Sequence, residues 1–258
     1  MIQEFYRPKT VKEAVALKAK VKKSAWLGGG TELNSSYTRQ KPVAVIALDG
    51  LKLGTVKAAA KRVSIGAGIT LQALCDSSKV PAPLRVAARQ VVNRNVRNIA
   101  TLGGNIGANK SCSNLIPTLL ALRAQLKVAG KTGSKTIALE DYLKAPKEQL
   151  VLSVEIPKSK ARIAQRVFRR TANDISLIVV AVAITQAKGI VTDAVVAVGG
   201  VNTTVVRLTA LEQSLVDTVV PHDASIEEEV KADKKVATQS DIRGSAAFKH
   251  HLTEILVT

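Results

Sequence analysis

Three consecutive glycines follow a short apolar run in the stretch Leu27-Gly-Gly-Gly-Thr-Glu-Leu33. Consecutive glycines allow positive φ angles and carry no side chains, so several backbone amides can point into one concavity. Such a group of N–H donors is a ready site for the phosphates of a nucleotide. A plain sharp turn explains three glycines equally well, and turn chemistry alone does not separate the two interpretations.

A second glycine-rich stretch, Arg97-Asn-Ile-Ala-Thr-Leu-Gly-Gly-Asn-Ile-Gly107, places paired glycines beside a hydroxyl and an amide side chain, with no catalytic acid or base. Neither stretch is a Walker A motif, because no Gly-Lys-Ser or Gly-Lys-Thr follows at the needed spacing. Gly66-Ala-Gly68 is not a Rossmann fingerprint, since Leu71 stands where the third glycine belongs. Two glycine loops from different subdomains suit a nucleotide that lies in a cleft between them.

The composition is that of a globular protein with room for two modest domains or one large α/β unit, since 46% of the 258 residues are hydrophobic. Two cysteines, Cys75 and Cys112, exclude a disulfide scaffold and provide no local zinc or iron–sulfur spacing. No apolar run approaches the ~20 residues of a membrane-spanning helix, and the N-terminus does not resemble a signal peptide. We therefore expect a cytoplasmic protein with no membrane partner.

The net charge of +18 raises the possibility of nucleic-acid binding, because a basic surface attracts phosphate. The lysines are scattered, however, and an aromatic content of 3% leaves few side chains on which bases could stack. A solvated surface, or docking faces for acidic partner subunits, explains the charge as well. We expect no nucleic-acid partner, and a basic nucleic-acid-binding protein is kept as an alternative.

Capping signals and periodicity predict alternating helices and strands. Thr10-Val-Lys-Glu13 is a capping box that opens a helix to about residue 20, with strands at 24–27 and 42–48. We then predict helices at 70–76, 82–92 and 115–122, strands at 124–129 and 149–156, and a Gly/Asn-rich loop at 93–113. Long β-branched runs predict a three-stranded antiparallel meander at 175–185, 190–198 and 201–208, followed by helices at 209–216, 224–232 and 244–256.

This order of elements predicts two domains, because a run of strands followed by a run of helices forms a separate α+β unit. We place the boundary near residue 160. The N-terminal domain is then 1–160, with subdomains at about 1–55 and 56–160, and the C-terminal domain is 161–258.

The order of the motifs resembles that of the FAD-binding medium subunit of molybdenum hydroxylases of the xanthine dehydrogenase and carbon monoxide dehydrogenase type. The two glycine stretches are accompanied by Ile65-Gly-Ala-Gly68, Asn114-Leu-Ile-Pro117, Leu152–Pro157 and Asp241–Lys249, so the resemblance covers essentially the whole chain. It implies an α+β chain. A two-subdomain FAD-binding fold of the vanillyl-alcohol-oxidase (PCMH) type would precede a C-terminal α+β domain, in which an antiparallel sheet packs on helices.

The resemblance also implies a set of cofactor contacts. The first glycine turn would bind the FAD diphosphate through its amides, and the second would form a wall near the ribityl chain and isoalloxazine. Asn114 stands where relatives have an acidic residue at the adenosine, and Arg166 would place a cation near the flavin, with Arg170 four residues later. The implied cofactor-binding set is Trp26, Leu27, Gly28, Gly29, Gly30, Thr31, Glu32, Thr101, Gly104, Asn105, Gly107, Ala108, Asn114, Val151 and Arg166.

The same resemblance implies an electron-transfer subunit with no catalytic or metal-binding residue of its own. Substrate would be oxidised at a molybdenum cofactor in a large subunit, and [2Fe–2S] clusters in a small subunit would pass electrons to non-covalent FAD and on to NAD⁺ or another acceptor. Two cysteines cannot supply four thiolates, so both metal centres are expected only in partner subunits. A free-standing FAD-dependent oxidase is the alternative, although such enzymes usually attach the flavin through His or Cys, and Gly28–Leu33 has neither.

Overall fold

A computed structural model describes residues 2–35, 41–91, 93–144, 148–219, 230, 233, 236 and 238–257. The chain divides into two compact units. The first unit consists of Met1–Pro81, Asn93–Ala108 and Ala124–Lys158, and the second of Ala82–Val92, Asn109–Arg123 and Ser159–Thr258. The domain boundary near residue 160 stays a prediction.

A small parallel sheet and one helix open the first unit. Strands β1 (Glu4–Tyr6), β2 (Ser24–Leu27) and β3 (Ala44–Ala47) pair in the order β1-β3-β2. Helix α1 (Val11–Lys20) buries Ala14 against Ile46 of the central strand. The Thr10 hydroxyl accepts a hydrogen bond from the Glu13 amide at 3.1 Å, as the predicted capping box requires, while the Glu13 carboxylate bonds the Lys9 amide instead of that of Thr10.

A five-stranded antiparallel sheet forms the rest of the first unit, in the order β4-β5-β8-β6-β7. Its strands are β4 (Val56–Ala58), β5 (Arg62–Gly66), β6 (Gln125–Gly130), β7 (Gly133–Ala138) and β8 (Leu150–Pro157), with helices α2 (Leu71–Asp76) and α7 (Leu139–Lys144) beside them. Alternate residues such as Ile65, Leu126 and Val154 are buried on one face. Sequence patterning missed β7, because nearly every residue of this edge strand is exposed and leaves no apolar alternation.

The predicted loop at 93–113 is wrong, because most of it forms helices α4 (Arg94–Ile99) and α5 (Leu102–Ala108). The Asn93 side chain accepts from the Val96 amide at 2.9 Å and so caps α4. The Thr101 hydroxyl accepts from the Gly104 amide at 3.1 Å at the start of α5. The polar residues that indicated a loop are therefore helix-capping residues.

The second unit is a four-stranded antiparallel sheet between two layers of helices. Strands β9 (Arg162–Phe168), β10 (Ile178–Ala187), β11 (Ile190–Gly199) and β12 (Val206–Arg207) pair in the order β12-β11-β10-β9. Helix α6 (Ile116–Ala121) packs on one face with α3 (Ala82–Arg89) beside it, and α8 (Thr209–Leu215) and α9 (Ala246–Val257) cover the other. The predicted three-stranded meander lacked strand β9. Its third strand, predicted at 201–208, forms only the two paired residues of β12.

One predicted helix cannot be compared with the structure. It spans 224–232, which lies almost entirely outside the described ranges. Cys75 is buried in α2, as expected of a small apolar side chain. Within the described ranges, no helix combines the length and the hydropathy that a membrane span needs.

A buried carboxylate joins three elements of the second unit. Glu212 on α8 is 6% exposed and accepts hydrogen bonds from the Val196 amide of β11 at 2.9 Å and from Arg207 Nε and Nη2 of β12 at 2.9 and 2.6 Å. Buried charges are stabilising only when they are paired and fully hydrogen-bonded, as this one is.

Replacing this carboxylate should therefore weaken the second unit. We expect Glu212→Ala to lower the free energy of unfolding by about 3 kcal/mol, because a buried backbone N–H and a partly buried guanidinium lose their acceptor. Gln213→Ala, at the exposed neighbouring position, should change it by less than about 0.5 kcal/mol. Urea denaturation measures both values, and equal stabilities for the two variants would contradict the assignment.

Candidate functional site

The two glycine stretches lie against each other within the first unit. A Cβ atom built on Gly29 would lie 1.8 Å from the carbonyl oxygen of Ile99, and one built on Gly28 would lie 2.6 Å from the hydroxyl of Thr101. The Cα atom of Gly104 is 3.9 Å from the same Cβ position of Gly28. Any larger residue at 28 or 29 would push the two stretches apart.

The parallel sheet fixes the first glycine turn. Strand β2 runs directly into it, and the Leu27 carbonyl accepts from the Leu48 amide at 3.0 Å. Gly30 has a φ of +74°, and the chain then makes one helical turn in which the Asn34 amide donates to the Gly30 carbonyl at 3.0 Å. The turn is therefore a fixed bend at the end of a strand.

A neighbouring bend at residues 66–69 fixes the second stretch. The Gly103 amide donates to the Ala67 carbonyl at 2.8 Å, and the Leu102 amide donates to the Ile69 carbonyl at 3.0 Å. A Cβ on Gly66 would lie 2.1 Å from the Leu53 carbonyl oxygen, so glycine is needed there for packing. The Ile65-Gly-Ala-Gly68 motif thus anchors the second stretch, a role that the sequence alone did not indicate.

The backbone amides of the first glycine turn have no described acceptor, whereas those at 102–105 in the second glycine stretch are all hydrogen-bonded. The amides of Gly28, Gly29, Gly30 and Thr31 donate no hydrogen bond to any residue that the structure describes. In the second stretch, by contrast, all four amides at 102–105 have acceptors. The first turn is therefore the part of the site that can bind an anion through its backbone, and its four free amides are called the amide nest below.

The hydroxyl of Thr101 adds a side-chain donor beside this nest. Its oxygen accepts from the Gly104 amide, and its own proton has no acceptor among the described residues. A partly exposed hydroxyl with an unused proton can donate to an anion held by the neighbouring amides. Thr101 thus links the two stretches at the point where they meet.

Trp26 lies on strand β2 before the turn, and its side chain packs in the core of the small parallel sheet. The ring belongs to the cluster of Ala14 and Ile46, and the Lys18 ammonium lies 5.8 Å from the ring centroid. Burial lowers the pKa of Lys18, and the Glu148 carboxylate partly opposes that shift. As the sole tryptophan of the chain, two residues before the amide nest, Trp26 is a natural fluorescence reporter for ligands bound there.

Helix α5 has an open face next to the nest. A Cβ atom built on Gly107 would meet no atom within 4 Å, although Gly103 on the same helix is packed against Ala67. Ala108 is partly exposed and Gly104 is exposed. Small residues therefore leave room along this helix for a flat ligand. Glu32 and Asn105 are partly buried beside the two turns, and Val151 is buried opposite Val128 in the five-stranded sheet.

Asn114 lies in the second unit and holds protein atoms with its side chain. It is 7% exposed, its Nδ2 donates to the Gln90 carbonyl at 3.0 Å, and its Oδ1 accepts from the Ser176 hydroxyl at 2.6 Å. Its backbone carbonyl accepts from Gln165 Nε2 at 2.5 Å. An amide is needed here because one atom must donate and the other accept.

The two candidate arginines have different settings in the second unit. Arg166 is exposed on β9, opposite Val180. Arg170 lies beyond the end of that strand, and its guanidinium donates to the carbonyls of Ile242 and Arg243. The two arginines therefore do not share one strand face.

The described cysteine and histidine side chains have other partners. Cys112 is partly exposed and hydrogen-bonds to Arg243 within the second unit. His250 and His251 lie on α9, and both pair with the Glu254 carboxylate. His222 lies outside the described residues. Within the described part of the chain, no group of three His, Cys, Asp or Glu side chains could hold a metal ion.

The role of Asn114 gives a stability prediction. Asn114→Asp should lower the free energy of unfolding by about 2–4 kcal/mol at pH 7, because a buried carboxylate would face the Gln90 carbonyl without a proton to donate. The deficit should shrink as the pH falls, since burial raises the pKa of the introduced carboxyl and its protonated form can donate. Asn173→Asp, at an exposed position, is the matched control, and equal unfolding curves would contradict this role.

The contrast between the crowded Gly29 and the open Gly107 gives a second stability prediction. Gly29→Ala should destabilise the chain by about 1–3 kcal/mol, because its methyl group would overlap the Ile99 carbonyl. Gly107→Ala should stabilise it by about 0.5–1 kcal/mol, because alanine favours a helix and the space is open. Thermal or urea unfolding checks both, and a Gly29→Ala variant as stable as the wild type would mean that the two stretches are not in contact.

The residues present fit a dinucleotide: free backbone donors and a spare hydroxyl suit its diphosphate, and an open face of small residues suits a flat ring. Residues 1–159 match the family model of the FAD binding domain in molybdopterin dehydrogenase, and residues 163–258 match that of the CO dehydrogenase flavoprotein C-terminal domain. Together these two models account for nearly the entire chain.

Individual relatives agree with the family models. The chain is 34% identical to the uncharacterised protein YgfM of Escherichia coli K12, over 100% of this chain and 94% of that one. It is 27% identical to the nicotine 6-hydroxylase medium subunit of Paenarthrobacter nicotinovorans, over 98% and 94% of the two chains. It is 25% identical to the carbon monoxide dehydrogenase medium chain of Afipia carboxidovorans, over 98% and 93%.

A solved structure of carbon monoxide dehydrogenase from Hydrogenophaga pseudoflava has the same fold, with a TM-score of 0.90 at 22% identity over 100% of this chain and 95% of that one. The predicted α+β architecture, a two-subdomain FAD-binding fold followed by an antiparallel sheet on helices, is confirmed. The chain therefore belongs to the FAD-binding medium subunits of molybdenum hydroxylases of the xanthine dehydrogenase and carbon monoxide dehydrogenase type.

Proposed function

We propose that this chain holds one FAD non-covalently and passes electrons from an iron–sulfur subunit to NAD⁺ or another acceptor. The observation that carries the proposal is the amide nest at 28–31, whose donors have no described acceptor, beside the spare hydroxyl proton of Thr101. Partly exposed donors without acceptors, held on a fixed bend, suit a diphosphate group.

Each group of residues would bind a different part of the cofactor. The nest would hold the diphosphate, with Trp26, Leu27 and Glu32 continuing the same stretch, and Thr101 would donate its hydroxyl proton. Along α5, Gly104, Asn105, Gly107 and Ala108 would border the ribityl chain and the flavin. Val151, Asn114 and Arg166 complete the set that the family resemblance implies.

The protein's contribution is binding and orientation. FAD, when bound, supplies a group that takes up electrons singly and gives them up in pairs. The nest and Thr101 orient the cofactor through its phosphates, and the small residues of α5 allow close approach. The guanidinium of Arg166, exposed on β9, would balance negative charge on the cofactor.

The proposed partners are an iron–sulfur subunit and a large molybdenum-binding subunit. Relatives that match nearly the whole chain are named as a medium subunit and a medium chain, and such names imply further chains. Cys75 and Cys112 are too few to ligate a [2Fe–2S] cluster, which takes four thiolates. The net charge of +18 would favour association with acidic partner surfaces.

Titration of the apoprotein with FAD tests the proposal. Quenching of the Trp26 fluorescence should saturate at one FAD per chain. Thr101→Val should raise the dissociation constant about 10- to 100-fold, the effect of one hydrogen bond to a charged group, while Thr101→Ser should stay within about threefold of the wild type. Gly107→Leu, whose side chain would fill the open face of α5, should also weaken binding while leaving the chain at least as stable as the wild type. Saturable binding that is unchanged in both Thr101→Val and Gly107→Leu would place the cofactor elsewhere.

A further inference from the structure

The side chain of Asn34 lies against the first glycine turn. The chain folds back after Gly30, because the Asn34 backbone amide donates to the Gly30 carbonyl at 3.0 Å. As a result, a Cβ atom built on Gly30 would lie 3.2 Å from Asn34 Nδ2. Apart from the chain neighbours of Gly30, only Leu27 Cδ1 also lies within 4 Å of that position among the described atoms. The space over Gly30 is therefore open to a ligand and bordered by the Asn34 amide.

The side-chain amide of Asn34 has hydrogen-bonding capacity that the fold does not use. Its Nδ2 carries two N–H donors, and the side chain forms no hydrogen bond with any residue that the structure describes. Asparagines that serve the fold bond backbone groups, as Asn93 does with the Val96 amide at the start of α4. Asn34 is exposed and makes no such bond, so its donors are available to a ligand.

The amide nest has a side-chain donor at each end. At Gly28, the Thr101 hydroxyl lies 2.6 Å from the position of a Cβ atom. At Gly30, Asn34 Nδ2 occupies the corresponding place at 3.2 Å. The two side chains and the amides between them form a row of donors along residues 28–30. An extended row of N–H and O–H groups suits a diphosphate, whose charged oxygens are spread over two phosphorus atoms.

The first turn has no cation of its own to balance a bound anion. Residues 24–34 contain no Lys, Arg or His, and Glu32 adds a negative charge. An anion at this turn therefore depends on the neutral donors that the turn supplies, and hydrogen bonds to a charged group are stronger than those between neutral groups. A carboxylate in place of the Asn34 amide would remove two donors and add a repulsive charge.

We propose that Asn34 is a further cofactor-binding residue, whose side-chain N–H groups donate to a diphosphate oxygen at the Gly30 end of the amide nest. This inference rests on the proposed function, which supplies the diphosphate. It adds a contact that the family resemblance does not imply, because the implied set ends at Glu32 in this stretch. Thr101 would hold the other end of the nest, so the two side chains together would fix the diphosphate along the turn.

Titration of the apoprotein with FAD, followed by the Trp26 fluorescence, tests the inference. Asn34→Ala should raise the dissociation constant about 10-fold, the effect of one hydrogen bond to a charged group at an exposed position. Asn34→Asp should raise it about 100-fold, because the introduced carboxylate repels the phosphates. Asn95→Asp makes the same change at an exposed position on α4 in the same unit, and it should stay within about twofold of the wild type.

Salt dependence separates a contact with phosphate from a distortion of the turn. The gap between Asn34→Asp and Asn34→Ala should shrink severalfold from about 0.05 M to about 0.5 M NaCl, because salt screens the repulsion between exposed charges. Asn34→Ala should unfold at the same urea concentration as the wild type, since the exposed side chain has no described partner to lose.

The outcomes distinguish failure of this inference from failure of the proposed function. Unchanged affinity in both Asn34→Ala and Asn34→Asp, while Thr101→Val still weakens binding, would overturn this inference alone. A loss of affinity in Asn34→Asp that does not vary with salt would assign the effect to a distorted turn and would also overturn it. No saturable binding of FAD by the wild type would refute the proposed function, and this inference with it.

Discussion

The close approach of the Gly29 backbone to the Ile99 carbonyl is the constraint on which the site depends. No side chain fits between them, so the end of strand β2 and the end of helix α4 meet directly. This contact places the hydroxyl of Thr101 beside Gly28 and sets the open face of α5 next to the first turn. The glycines of the first stretch therefore allow this close packing, and ligand binding by their amides is the proposal that goes with it.

The two stretches have different chemical roles because their amides have different partners. The bend at 66–69 provides acceptors for the second stretch, so α5 is rigidly anchored and has no backbone donor to spare. The amides of the first turn, by contrast, have no acceptor among the described residues. A site that binds phosphate on one side and a flat ring on the other needs this asymmetry: fixed donors for charge, and small side chains for close approach.

The sequence predicted the parts of the fold that carry a strong local signal. The capping box at Thr10 and the long apolar strands of the second unit were of this kind, and the ordered glycine motifs identified the family. The helices at 94–99 and 102–108 were missed because the capping Asn93 and Thr101, and the glycines of the second helix, are also typical loop residues. Only contacts with residues distant in the chain, such as that of Gly103 with Ala67, distinguish a helix from a loop here. The hydrogen bonds of the Asn114 side chain, and those of the Arg170 guanidinium to the backbone near Arg243, join residues that are far apart in the chain. No local sequence pattern reveals such contacts.

A structure of the chain with FAD bound tests the central claim most directly. The account predicts that diphosphate oxygens lie within about 3.2 Å of the amide nitrogens at 28–31, with the Thr101 hydroxyl as a further donor. A diphosphate bound away from this turn, with those amides still facing solvent, would contradict it.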